Sequence, residues 1–277
     1  MLWTPQKGIV RVQHNTGTVG TLTPGTSVTT GAAASTKGTA VELIASTSFD
    51  AFWVTIMAAI YGAAGSASEG SMDILTGAAT EDILIPNLLM GYCGGMDGAG
   101  KGPKRWDFPL YIPAGTRLAA QAAGALTSTA MQVWIFLYGG NGIPPFRVGT
   151  RVTTYGMGTV PNGTAITPGI SGAEGSWTEI VASTTYDHFA LVPSFQPSAD
   201  STINIRAYAL DLGVGAATEE EIMRSYWYSA DNGERMEGPL NSMPCFQDIP
   251  AASRLVMRVS NSGANDGGYN GVIHGVS

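Results

Sequence analysis

Short apolar runs rich in β-branched and aromatic residues recur along this chain, separated by Gly, Pro, Ser and Thr. That pattern predicts strands rather than helices. In the first half the runs are Val41–Ala45, Phe49–Met57, Ser71–Leu75, Ile83–Pro86 with its continuation, Trp106–Tyr111, Arg117–Gln121 and Gln132–Tyr138. Seven or eight short strands in about 120 residues predict an antiparallel β-sandwich, and eight point to a jelly roll. The segment Ala78–Leu89 also reads as a short helix, because Thr80 followed by Glu81 and Asp82 makes an acceptable helix start.

The second half repeats the first. Glu42-Leu-Ile-Ala-Ser-Thr-Ser-Phe-Asp-Ala-Phe52 aligns with Glu179-Ile-Val-Ala-Ser-Thr-Thr-Tyr-Asp-His-Phe189, with six of eleven positions identical. Gly77-Ala-Ala-Thr-Glu81 returns as Gly215-Ala-Ala-Thr-Glu219, and Ile112-Pro-Ala-Gly-Thr-Arg-Leu118 as Ile249-Pro-Ala-Ala-Ser-Arg-Leu255. Upstream, Leu22-Thr-Pro-Gly25 answers Ile166-Thr-Pro-Gly169. The offset is 137 or 138 through most of the chain and 144 at the start, so the copies are collinear. The expected organisation is an N-terminal arm (1–15), a jelly-roll-like domain (16–140), a linker (141–154) and a second jelly-roll-like domain (155–277). The fold class is all-β: two tandem antiparallel sandwiches from an internal duplication.

Composition supports a packed protein. Of 277 residues, 44% are apolar and only 13% charged, unlike the profile of a disordered chain. Met1-Leu-Trp-Thr-Pro5 has neither the basic start nor the apolar core of a signal peptide, and no apolar run reaches the ~20 residues of a membrane span. A soluble protein without membrane partners is expected. Cys93 and Cys245 are too few for a disulfide framework; a single bridge or two free thiols both fit, with free thiols the expectation.

The net charge of −7 argues against nucleic-acid binding. Its distribution is uneven: residues 1–140 carry seven basic and eight acidic groups, residues 141–277 seven and thirteen. Lys101, Lys104 and Arg105 form a basic patch expected on a loop, and Glu219, Glu220 and Glu221 are the densest acidic point. Both are candidate partner contacts, the one suited to the other on a neighbouring copy.

Gly95-Met-Asp-Gly-Ala-Gly-Lys-Gly102 comes within one residue of a phosphate-binding P-loop. Gly102 stands where the magnesium-binding Ser or Thr belongs, the following residues lead to a strand, and the repeat places Glu237 opposite Lys101. The stretch is read as a Gly-rich loop, with no cofactor. His14, His188 and His274 lack metal-ligand spacing, and no Gly-x-Ser-x-Gly nucleophile elbow occurs. Three charged pairs among the shared positions are Asp50 with Asp187, Glu42 with Glu179 and Arg117 with Arg254. They are read as structural, with each Arg pairing a carboxylate such as Glu42 or Glu179.

Ile112–Leu118, followed by a closing strand ending Phe136-Leu-Tyr-Gly139, resembles virion structural proteins of tailed bacteriophages, as does Gly77–Glu81 with Ile83–Leu89. The resemblance covers most of the first repeat and, more weakly, the second, whose last strand reads Val272-Ile-His-Gly275. It implies a jelly-roll module on a particle surface, made in the host cytoplasm and carried on the virion. A non-enzymatic capsid cement or decoration protein, contacting capsid proteins and its own copies as a homo-oligomer, is the leading expectation. A fibre, spike or glycan-binding receptor module is the alternative, and a glycan hydrolase a third.

Overall fold

The computed structural model describes residues 11–15, 25–60, 69–78, 80–90, 104–125, 127–140, 144, 146–197, 206–215, 218–230, 241–262 and 268–277. Among these, the chain forms strands only. The first repeat supplies β1 (Arg11–His14), β2 (Thr26–Thr29), β3 (Val41–Ile44), β4 (Ala51–Ile60), β5 (Gly70–Thr76), β6 (Asp82–Leu89), β7 (Lys104–Phe108), β8 (Leu118–Gly124) and β9 (Ala130–Gly139). The second supplies β10 (Val152–Tyr155), β11 (Thr164–Ile166), β12 (Thr178–Val181), β13 (His188–Pro197), β14 (Arg206–Val214), β15 (Glu220–Ala230), β16 (Asn241–Ser242), β17 (Cys245–Ile249), β18 (Leu255–Asn261) and β19 (Tyr269–Val276).

Each repeat folds into two facing sheets. In the first, β1-β9-β4-β7, with β2 also on β9, faces β3-β8-β5-β6; in the second, β10-β19-β13-β17, with β11 on β19, faces β12-β18-β14-β15. The correspondence is strand for strand, and the pairing is antiparallel with interleaved connections, which is jelly-roll topology. β16 corresponds in sequence to Lys104–Arg105, the first residues of β7. It leaves the second domain and pairs in parallel with β7, matching Asn241 to Arg105 and Ser242 to Trp106, and so covers an edge of the first domain.

Period-two patterning explains the elements. In β9, Met131, Val133, Ile135 and Leu137 are buried while Gln132, Trp134, Phe136 and Tyr138 are half-exposed. The inner set joins Val54, Ile56, Phe108 and Leu118 in the first core. The second core gathers Leu191, Leu212, Met257, Tyr269 and Ile273. The first core runs on into the second domain through Val152, Phe189, Ala190, Val192 and Val276, so the two sandwiches share apolar packing.

Three expectations are corrected. The described residues of Ala78–Leu89 hold no helix: Asp82–Leu89 is β6, paired with β5. Pro86 in the middle would have cost a helix one hydrogen bond, and Asn87 at φ 56° absorbs an irregularity in the pairing. Arg11–His14, assigned to the arm, is a sheet strand, with Val12 opposite Tyr138. The linker likewise gives Val152–Tyr155 to β10, with Val152 opposite Val276. Both are the opening strand of a repeat, and an unpaired β9 or β19 edge would leave buried backbone groups without partners.

Candidate functional site

The most heavily built region is the junction between the domains, where one end of the first sandwich sits on the outer face of sheet β10-β19-β13-β17. That face carries Val192, Ser194, Gln196, Asn270, His274 and Val276, all buried. Strands of an antiparallel sheet normally bury one face, yet every residue of β19 is buried. The second face is covered by the first domain.

Polar groups in the junction are matched across it. The Ser194 hydroxyl accepts from the Trp106 indole N–H (3.0 Å) and from the Leu89 backbone N–H (2.8 Å). Gln196 Oε1 accepts from Gly70 N (3.2 Å), and Asn270 Nδ2 donates to Glu69 Oε1 at 2.7 Å. Lys104 Nζ donates to the Phe195 carbonyl at 2.9 Å. Gly149 bridges Leu110, accepting from Tyr111 N and donating to Pro109 O, so the linker is pinned as well. Such pairing offsets the cost of burying polar groups and fixes one relative placement of the domains.

His274 lies at the centre. Its ring meets Phe108 edge-on at 5.8 Å, and its Nδ1 is 2.8 Å from Thr154 Oγ1. Thr154 donates its own proton to the Pro86 carbonyl (2.7 Å), so its oxygen accepts and His274 carries the Nδ1 proton. Nε2 is buried without a hydrogen-bond partner. Complete burial pushes the His274 pKa down to about 3, so the ring is neutral.

His188 is explained by the duplication. It replaces Ala51 of the first repeat, and Gly275 replaces Leu137 beside it. A Cβ on Gly275 would lie 2.7 Å from the His188 ring, so the large and small partners have exchanged strands. His188 Nε2 contacts Tyr155 Oη at 2.8 Å, and burial lowers its pKa against the pull of Asp187.

The shared charges lie apart from the junction. Arg117 donates to Glu42 (2.9 Å), Glu81 (2.8 Å) and the Gly77 carbonyl (2.8 Å). Arg254 repeats this with Glu179 (2.7 Å), Glu219 (2.9 Å) and the Gly215 carbonyl (2.8 Å). Hydrogen bonds to Glu81 and then Glu42 raise the Arg117 pKa; Glu179 and then Glu219 do the same for Arg254. Asp50 and Asp187 each accept a backbone N–H of the Ile-Pro-Ala loop, from Ala114 (2.8 Å) and Ala251 (2.7 Å).

The candidate partner contacts separate. Lys104, expected on an exposed loop, is a buried residue of β7, because its ammonium reaches the Phe195 carbonyl of the second domain. Arg105 lies in β7 and pairs with buried Asp107 at 2.8 Å. Lys101, Cys93 and the Gly95–Gly102 loop lie outside the described residues. Glu219 is bound to Arg254 and Glu221 to Arg258, which leaves Glu220 as the exposed member of the acidic run. Cys245 is a free thiol whose pKa is raised by burial.

A buried acid per domain escaped the sequence reading. Asp73 binds Lys37 Nζ at 2.9 Å and also accepts from Gln121 Nε2 (2.9 Å). Its counterpart Asp211 binds Arg258 at 2.8 Å, and Arg258 also holds Glu174 and Glu221, each at 2.6 Å. The three carboxylates converge closely enough to hold a metal, but the Arg258 guanidinium sits among them and bonds all three. The acid is common to both repeats and its cation is not, so only the Asp could have been found by aligning them.

The remaining surface of note is the outer face of sheet β1-β9-β4-β7. Trp53, Met57, Trp134, Phe136 and Tyr138 lie half-exposed there, flanked by His14 and Val12, the latter 51% exposed. Trp53 donates to Asp107 (3.1 Å) and meets Phe146 edge-on at 5.5 Å.

No family model matches this chain, and no curated protein matches it. Among solved structures, PNGF-II in a C2 crystal form aligns at TM-score 0.33 and 9% identity, covering 86% of this chain and 59% of that one. Its P21 form gives 0.33 and 10%, covering 85% and 59%. This chain thus spans 59% of the length of that protein. A chain of the infectious bursal disease virus Gx strain aligns at 0.22 and 10% identity, covering 96% of this chain and 71% of that one.

Proposed function

We propose that this chain is a non-enzymatic virion structural protein, a cement or decoration protein that binds a capsid surface through protein contacts. The observation that carries the reading is the welded pair of sandwiches: a polar-matched junction holds the domains as one body, while an aromatic sheet face is partly exposed on the first. A rigid body with an open apolar face is suited to assembly. The described acid clusters are occupied by arginine or lysine, which suits stability rather than proton transfer. The virion setting rests on the resemblance carried by Ile112–Leu118 and the strand ending at Gly139.

A second reading, a fibre, spike or glycan-binding module, is favoured by the same aromatic face, since Trp and Tyr rings also stack on sugars. Particles from producing cells, banded on a density gradient, test both by mass-spectrometric copy number. Hundreds of copies per particle are expected of a cement protein. A few copies to a few dozen would move the chain to a fibre or spike, and absence from the band would overturn the virion reading.

A further inference from the structure

The open face of the first domain is the counterpart of the face that the second domain buries. Register makes this explicit. Val54 pairs with Leu137 in the first repeat as Leu191 pairs with Gly275 in the second. Met57 therefore corresponds to Ser194, Phe136 to His274, Trp134 to Val272 and Tyr138 to Val276. The second-domain members are all buried, with Ser194, His274, Val272 and Val276 at 0% exposure. The first-domain members are half-exposed.

The element that does the covering has a counterpart too. The first domain docks through β6 and β7, with Trp106 at 1% exposure in the contact. Val54 opposite Phe108 matches Leu191 opposite Cys245, so Trp106 corresponds to Met243 and Pro109 to Phe246. Met243 is 60% exposed and Phe246 54%. One chain thus holds one completed junction, a partly exposed face and an edge whose Met243 and Phe246 are exposed, each corresponding in sequence to half of that junction.

The geometry points to a head-to-tail contact between copies of this chain: the β15–β17 edge of one second domain seats on the β9–β4 face of the next first domain, repeating the internal junction. The side chains have changed in a way that fits. The internal face offers Ser194, Gln196, Asn270 and His274, which need matched polar partners, whereas the open face offers Met57, Trp134, Phe136 and Tyr138 to the apolar Met243 and Phe246. Aromatic anchors of this kind dominate interface energies. Because face and edge differ, the contact is heterologous and propagates into a closed ring or an open filament. The inference names the partner and surface of the assembly role proposed above, and rests on that reading only for its biological setting.

Two variants test it: Trp134→Glu on the face and Met243→Glu on the edge, each checked for wild-type circular dichroism and cooperative melting. Sedimentation velocity of the purified full chain is expected to show wild type as a closed ring or longer assembly and each variant as a monomer. An equimolar mixture of the variants should give a dimer and nothing larger, because it restores one intact contact, between the face of the Met243→Glu chain and the edge of the Trp134→Glu chain. A monomeric wild type at 100 μM, or a mixture that stays monomeric, would overturn the head-to-tail contact. Glycan binding lost only in Trp134→Glu, with wild type monomeric, would hand the face to a sugar. A monomer that is nevertheless abundant in particles would sink this contact and leave the cement role standing. Assembly without presence in particles would do the reverse.

Discussion

Acid should open the junction through His274. The ring is neutral, its Nδ1 proton is committed to Thr154, and its Nε2 faces no acceptor, so a second proton has nowhere to bind favourably. Its pKa is about 3 in the folded protein. In the unfolded chain an ordinary histidine titrates near ~6.5. The folded pKa is the lower one, so the unfolded state binds protons first, and stability falls as pH drops below about 6.5. Between pH 7 and 5 this single group removes about 2 kcal/mol, from the difference in proton uptake of the two states. His188 shifts in the same direction through its own burial and adds to the slope. Urea unfolding followed by tryptophan fluorescence from pH 7 to 5 measures the total. His274→Asn keeps a donor toward Thr154 but cannot titrate, and should flatten the slope by about one proton. A His274→Asn slope equal to that of wild type would refute the reasoning, whatever the absolute stability of the variant.

Two further outcomes come from comparing the repeats. Gly275→Ala should destabilise by about 1–3 kcal/mol, because its Cβ would meet the His188 ring at 2.7 Å. His188→Ala restores the small partner found at Ala51, so a double-mutant cycle by thermal melting should show positive coupling, and additive losses would count against the exchange. Ala252 sits at φ 64° where the first repeat has Gly115 at φ 83°. Ala252→Gly should therefore raise stability by about 0.5–1 kcal/mol, read as a melting-temperature rise; a fall would show that the left-handed backbone is not the governing cost.

Much of the architecture was written locally. Alternating apolar positions in β4 and β9 define strands, and the repeated Glu-x-x-Ala-Ser-Thr and Ile-Pro-Ala segments define two copies of one fold. The Arg117 and Arg254 clusters combine segments that recur in both copies, so aligning the repeats brings their members to notice. Ala78–Leu89 was ambiguous because a short apolar run carries too little periodicity to separate helix from strand, and pairing with β5 decided it. The arm and linker boundaries were missed for a related reason: β1 and β10 are four-residue strands with little alternation, held by their partners β9 and β19.

The candidate surface was much less legible. A stretch such as Gly271-Val-Ile-His-Gly275 says nothing of what lies on its outer side, and Lys104 reads as a surface cation until the Phe195 carbonyl is brought to it. The sequence by itself determined the strands, the duplication and the paired arginines, because each depends on residues close together or on copies that can be aligned. Only the tertiary structure decided which sheet face is buried and which is open. Burial of an outer face depends on what another domain places against it, across 80 to 200 residues of chain, as in Ser194 with Trp106 and Asn270 with Glu69.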